Sequence, residues 1–71
     1  MSIHALNARN QYAGTIRDVV FGDVLSEIEV ETASGVVSSV VSTRSINELG
    51  LHVGSKVLAT FKATEVFLAV I

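Results

Sequence analysis

Three short polar stretches stand out in a chain otherwise rich in valine and leucine: NARNQYAG at 7–14, STRS at 42–45 and FKATEV at 61–66. They carry hydrogen-bond donors: the guanidinium of Arg9, the ammonium of Lys62 and several hydroxyl groups. Such donors suit an anion, which accepts hydrogen bonds and is stabilised by positive charge. The sequence therefore suggests an anion site, and we expect the first and last stretches to meet in the fold.

The same residues also have ordinary structural explanations. A single cation on a strand is most often a solvated charge or the partner of a carboxylate such as Glu65 or Asp18. For Arg9 and Lys62, that is the default interpretation when the residues are taken alone. The hydroxyls of STRS would serve equally well as helix caps, and capping is compatible with an anion contact.

Catalytic and metal chemistry find little support in the sequence. His4 and His52 are its two histidines, and neither has an acidic partner or a second ligand at a recognisable spacing. The chain has no cysteine and no Gly-rich phosphate loop. We therefore expect a binding protein rather than an enzyme, with no cofactor and no metal ion held by side chains.

The composition predicts one domain, residues 1–71, that associates with copies of itself. Hydrophobic residues make up 49% of the 71 residues and charged residues 17%. So small a chain cannot hide that much apolar surface in one core, and oligomerisation is the support left without disulfides or a metal.

Nucleic acid and membranes are disfavoured as partners. The net charge is −2 and the basic residues form no stripe. No apolar run approaches the roughly 18 residues of a membrane span, and the N-terminus lacks the pattern of a secretory signal. We expect a cytoplasmic location.

The elements that must position the polar stretches are strands. Glu27, Glu29 and Glu31 alternate with Ile28 and Val30, which predicts a sheet with one buried and one wet face. The stretch STRSINELG at 42–50 predicts a short helix, with a hydroxyl at its N-cap and a glycine at its end. Strands are expected at 11–20, 24–31, 36–42, 55–62 and 65–71. This order predicts an all-β fold, a five-stranded OB-like partly open barrel with one short helix between strands 3 and 4.

Three separated segments carry a family resemblance. ARNQYAGTI near the start, SINELGLHVGSKV in the middle and FKATEV near the end resemble the molbindins, or Mop domains, small molybdate-binding proteins of the TOBE/OB-like class. The similarity runs from Asn7 to Val66, with strands, helix and turns in the same order. It implies an OB-like barrel whose subunits form a hexamer, a trimer of dimers, and hold molybdate or tungstate at subunit interfaces.

The resemblance also implies a set of binding residues. The family's opening motif Ser-Ala-Arg-Asn-Gln reads Asn7-Ala8-Arg9-Asn10-Gln11 here. Asn7 thus replaces a serine, and either donates through its amide or leaves the contact to backbone N–H groups. Positive charge would come from Arg9 and Lys62. The expected oxyanion-binding residues are Asn7, Ala8, Arg9, Lys62 and Ala63, with Ser42 and Ser45 from the adjoining subunit.

Two functions of different classes follow. The favoured one is molybdate binding for intracellular molybdenum storage or homeostasis, since the chain carries neither the DNA-binding helices of molybdate-responsive regulators nor a transporter ATPase. The alternative is an OB-type module for single-stranded nucleic acid. Its stacking platform would be built from the aromatic residues Tyr12, Phe21, Phe61 and Phe67.

Overall fold

The computed structural model describes residues 10–71, which form four strands, one α-helix and one 3₁₀ turn. The strands pair in a single antiparallel sheet with the order β3-β2-β1-β4. The all-β class, the short helix after the third strand and the bounds of the first four strands agree with the sequence prediction to within one residue. The elements are β1 (Asn10–Val20), β2 (Leu25–Thr32), β3 (Gly35–Ser42), α1 (Thr43–Leu49), β4 (Lys56–Phe61) and the 3₁₀ turn (Ala63–Glu65).

The fifth strand predicted over 65–71 is wrong for the described chain. Glu65 ends the 3₁₀ turn, and residues 66–71 continue without strand structure. The side chains of Phe67 and Leu68 are 93% and 95% exposed. A strand exists only with a hydrogen-bonding neighbour, and this segment pairs with neither edge of the sheet, β3 or β4. The sheet is therefore an open half-barrel of four strands rather than five.

Turn chemistry fixes the β2–β3 hairpin. Gly35 has φ 123°, a conformation that side chains rarely tolerate. The Thr32 hydroxyl donates to the Gly35 carbonyl at 2.7 Å and accepts the Ser34 N–H at 3.2 Å. These bonds hold the two strands in register from Leu25↔Ser42 to Thr32↔Gly35.

Helix α1 is bounded by the caps expected from its sequence. Ser42 is the N-cap, and its hydroxyl accepts the Ser45 N–H at 3.1 Å. At the other end Gly50 adopts the left-handed conformation, with φ 64°. The N–H of Leu51 then bonds the carbonyl of Ile46 at 3.0 Å and closes the helix end.

The core lies between the inner face of the sheet and α1. Ile16, Ile28, Val30 and Ile46 are each at most 4% exposed. The alternation in β2 places Ile28 and Val30 inward and its glutamates outward, as predicted. Burying the Ile46 side chain is what fastens the helix to the sheet.

β1 is the strand that curls the sheet. Its pairing with β2 shifts between Ile16 and Asp18, which marks a β-bulge at Arg17. Three residues before Arg17, Gly14 crosses β2 so closely that a Cβ there would lie 2.5 Å from the Glu31 carbonyl oxygen. A bulge and a glycine together let β1 bend over the core.

Candidate functional site

The described part of the N-terminal polar stretch, which begins at Asn10, lies beside the end of β4. Asn7, Ala8 and Arg9 lie outside the described residues. Asn10, the first described residue, pairs with Phe61, and the Tyr12 ring stacks on the Phe61 ring with centroids 5.7 Å apart. The described parts of the first and last polar stretches therefore meet, as the sequence predicted.

Lys62 and Ala63 follow directly after β4, where the 3₁₀ turn begins. The Lys62 N–H donates to a Glu65 carboxylate oxygen at 2.8 Å, and the Glu65 N–H donates to the Lys62 carbonyl at 2.9 Å. This reciprocal pair closes the turn. Within residues 10–71, the Ala63 N–H and the Lys62 ammonium have no hydrogen-bond partner. Both remain available as donors at the end of β4.

Ser42 and Ser45 form a hydroxyl pair at the start of α1. Ser42 Oγ accepts the Ser45 N–H, and the two hydroxyl oxygens lie 2.7 Å apart. One hydroxyl proton makes the bond between them, so the other proton is left over whichever serine donates. The pair can therefore cap the helix and still donate one hydrogen bond to a ligand.

These two donor groups lie at opposite ends of the sheet within one chain. Ser42 pairs with Leu25 at the hairpin end of β2, where Val20 closes β1. Lys62 follows Phe61, which pairs with Asn10 at the other end of β1. At about 3.3 Å per residue, the ten steps of β1 amount to about 30 Å of strand. The structure brings Lys62 and Ala63 together, and Ser42 and Ser45 together, but does not join the two pairs in one subunit.

Lys62 also differs from the other cations of residues 10–71 in its surroundings. Both described arginines are in ion pairs with glutamates. Lys56 donates to the Thr15 hydroxyl at 3.0 Å. The Lys62 ammonium has no such partner in this part of the chain and forms no ion pair with Glu65, which binds its backbone instead.

An apolar groove opens on the inner face of the sheet, between the two edge strands. Its volume is about 690 Å³. β3 contributes Val37 and Val41 to its walls, β4 contributes Val57 and Phe61, and Leu51 after the helix lies between them. The groove occupies the place where a fifth strand would close the half-barrel.

Metal and nucleic-acid sites find no support in the described chain. Residues 10–71 contain no group of three or more His, Cys, Asp or Glu side chains that could hold a metal ion. Tyr12 and Phe21 lie at opposite ends of β1, so the aromatic residues do not form one stacking platform. No helix in the same residues is long and apolar enough to cross a bilayer.

One residue that matters to this region was missed by the sequence analysis. Ser26 is 3% exposed and bonds the Thr43 hydroxyl, next to the Ser42–Ser45 pair. The signal was its inward position two residues before Ile28, where a polar side chain needs a partner.

Comparisons with known proteins agree with the fold and identify the family of the chain. Residues 6–68 match the TOBE domain family. Molybdenum-pterin-binding protein 3 of Clostridium pasteurianum is 37% identical over 65 residues, which cover 90% of this chain and 96% of that protein.

Solved structures give the same result. MopII from Clostridium pasteurianum superposes with a TM-score of 0.85 at 33% identity, covering 93% of this chain and 100% of MopII. ModG, a cytoplasmic molybdate-binding protein solved with molybdate bound, superposes with a TM-score of 0.79 at 33% identity, covering 84% of this chain and 43% of ModG. The chain therefore belongs to the TOBE domain family, as a Mop domain of the molbindin type.

Proposed function

We propose that this chain binds molybdate, and tungstate of nearly the same size, at interfaces between the subunits of a homo-oligomer. The names of its relatives and the molybdate-bound ModG support the ligand. The observation that carries the interface is the placement of Lys62 and Ser45 at opposite ends of β1. A tetrahedral anion a few ångströms across contacts both only when they come from different subunits.

The donor set matches the ligand. Molybdate at neutral pH is a dianion whose four oxygens accept hydrogen bonds and have no proton to give. In this proposal one subunit contributes charge from Arg9 and Lys62 and donors from Asn7, Ala8 and Ala63, and the adjoining subunit contributes the hydroxyls of Ser42 and Ser45. Two observations support these roles: the Lys62 ammonium has no partner among residues 10–71, and the Ser42–Ser45 pair has a spare hydroxyl proton.

The energetics suit reversible binding. Hydrogen bonds to charged groups contribute roughly 1.5–3 kcal/mol each, so about five would offset desolvation and leave a micromolar or tighter site. Selectivity against sulfate follows from size, because molybdenum–oxygen bonds are longer than sulfur–oxygen bonds. Tungstate, with similar bond lengths, is accepted.

Assembly is supported by two surfaces that one subunit leaves open. Residues 66–71, VFLAVI, present exposed apolar side chains, and those of Phe67 and Ile71 lie almost wholly in solvent. No strand of residues 10–71 covers the apolar groove between β3 and β4. When the tail of one copy fills the groove of another, both surfaces leave water, which favours association. The family resemblance extends this pairing to a hexamer, a trimer of dimers.

The physiological role that fits such a protein is molybdenum storage or homeostasis in the cytoplasm. Binding at interfaces holds the oxyanion without chemical change, and no catalytic step is required. The description of ModG as a cytoplasmic molybdate-binding protein supports this location.

Native mass spectrometry of the whole chain tests the proposal. The protein is recorded alone, with excess molybdate and with excess sulfate. A hexamer that gains molybdate in whole numbers and no sulfate is the expected result. A monomer or dimer that takes up neither anion contradicts it, and titration with a single-stranded oligonucleotide at two salt concentrations then tests the alternative.

A further inference from the structure

Ser26 stands out as the buried polar side chain of residues 10–71. It faces inward at the edge of the core, two residues before Ile28, where an unsatisfied hydroxyl would be unfavourable. The described chain has no buried side-chain polar atom without a partner. The bonds that satisfy Ser26 therefore explain why a serine is placed there.

Those bonds form a closed ring of three groups, called here the hydroxyl ring: Gly22, Ser26 and Thr43. The Gly22 carbonyl can only accept, so the Thr43 hydroxyl donates its single proton to it at 2.7 Å. Thr43 must then accept in its 2.6 Å contact with Ser26, which donates. The Ser26 oxygen in turn accepts the Gly22 N–H at 3.2 Å. Each group donates once and accepts once, an arrangement in which the bonds strengthen one another.

The hydroxyl ring fastens the start of α1 to the β1–β2 hairpin. Thr43 is the first residue of the helix, and its N–H also donates to the Val24 carbonyl at 2.9 Å. At the hairpin, Gly22 cannot be replaced without a clash, because a Cβ would overlap the Leu25 carbonyl oxygen. Local geometry thus fixes both parts that the hydroxyl ring joins, the start of α1 at Thr43 and the β1–β2 hairpin at Gly22.

The hydroxyl groups of residues 42–45 have two different roles, because only Thr43 belongs to the hydroxyl ring. The Thr43 proton is committed to Gly22 and is not available to a ligand. The Ser42–Ser45 pair, on either side of Thr43, retains one spare proton. The residue that orients this part of the chain is therefore distinct from the residues able to donate.

We propose that Ser26 and Thr43 are positioning residues for the oxyanion site, which set the Ser42–Ser45 pair against the rest of the protein without touching the ligand. This inference rests on the proposed function. Hydrogen bonds to an oxyanion are made over a narrow range of about 2.7–3.2 Å. A small displacement of the Ser42–Ser45 pair therefore weakens molybdate binding and reduces the selectivity for molybdate over the smaller sulfate.

Matched variants of Thr43 in the full chain test the inference, with molybdate and sulfate affinities measured by calorimetry. Thr43→Val keeps the shape and removes the hydroxyl, whereas Thr43→Ser keeps the ring. We expect Thr43→Val to weaken molybdate binding about tenfold, which corresponds to the loss of about one hydrogen bond. We also expect the ratio of the molybdate affinity to the sulfate affinity to fall. Thr43→Ser should remain within about threefold of the parent chain.

A second pair of variants separates an effect of the hydroxyl ring on affinity from an effect of lowered stability. Ser26→Ala adds no volume and leaves the Thr43–Gly22 bond in place, so an intermediate loss of affinity is expected. Ile28→Val lowers stability in the core without touching the ring and should leave the molybdate affinity unchanged. If Ile28→Val weakened binding as much as Ser26→Ala at equal loss of stability, the inference would be overturned.

A double-mutant cycle distinguishes a positioning role of Thr43 from a purely structural one, because only a positioning role couples the effect of Thr43→Val on molybdate affinity to that of Ser45→Ala. In a Ser45→Ala background, Thr43→Val should cause little further loss, because the two act through the same contact. The inference is overturned if the losses of molybdate affinity in the two single variants add fully in the double variant. It is also overturned if Thr43→Val binds molybdate like the parent chain while Ser45→Ala binds it more weakly. In both cases the proposed function still holds. Absence of molybdate binding by the parent chain overturns both.

Discussion

Asn10 lies directly opposite Phe61 in the β1–β4 ladder, so the chain enters the sheet beside the strand end that carries Lys62. The pairing brings the described parts of the first and last polar stretches of the sequence to one place. It also separates them from Ser42 and Ser45 by the length of β1.

The first prediction concerns Lys62. Lys62→Ala should weaken molybdate binding roughly 10- to 100-fold, since it removes a charged hydrogen bond from the proposed site. Lys56→Ala is the matched control, because Lys56 is the first residue of β4, the strand that Lys62 follows, and it donates to the Thr15 hydroxyl. It should change the affinity less than twofold by calorimetry. Equal affinities for the two variants would remove Lys62 from the site.

The second prediction separates the charge of Glu65 from its hydrogen bond. The carboxylate holds the Lys62 N–H at 2.8 Å and places a negative charge near the proposed oxyanion. Glu65→Gln keeps an acceptor oxygen without the charge and should tighten molybdate binding. Glu65→Ala opens the turn and should weaken it. Molybdate titrations of both variants at one ionic strength provide the comparison, and the opposite order would show that the turn does not orient the site.

The third prediction concerns the crossing of β1 over β2. Gly14→Ala should destabilise the protein by about 1–3 kcal/mol, because its Cβ would meet the Glu31 carbonyl and a Val30 methyl group at 2.5 and 2.6 Å. Ala13→Ser, at the exposed neighbouring position, should shift stability by less than about 0.5 kcal/mol. Urea unfolding at a fixed protein concentration measures both. A Gly14→Ala protein as stable as its parent would mean that the strands separate freely there.

The fourth prediction concerns the C-terminal tail. Phe67→Asp places a charge in the segment proposed to fill a partner's groove, and should dissociate the oligomer. Val53→Asp changes an exposed apolar residue outside both surfaces and should leave the assembly intact. Sedimentation velocity distinguishes the two. Survival of the parent assembly in Phe67→Asp would place the subunit contact elsewhere.

Local chemistry made most of the fold predictable from the sequence. The alternation around Ile28 set the faces of β2, and the Ser42 and Gly50 caps set the ends of α1. The tail was misassigned because its β-branched and aromatic residues favour strands. A strand also requires a pairing partner, and no strand of residues 10–71 supplies one.

The candidate site was predictable only in part. Residue types and the family resemblance indicated the donors, but the distance between Lys62 and Ser45 along the sheet depends on register, which only tertiary structure reveals. Ser26 escaped notice since a serine within a strand is ordinary until its burial is known.

The open half-barrel has a consequence for how the protein survives in the cell. The described chain buries only four apolar side chains below 5% exposure: Ile16, Ile28, Val30 and Ile46. So small a core predicts that a free subunit is only marginally stable, and the proposed association would then contribute a large share of the folding free energy. We expect the melting temperature to rise with total protein concentration. Dilute subunits would be exposed to proteolysis, so abundance itself would decide how much of the protein persists.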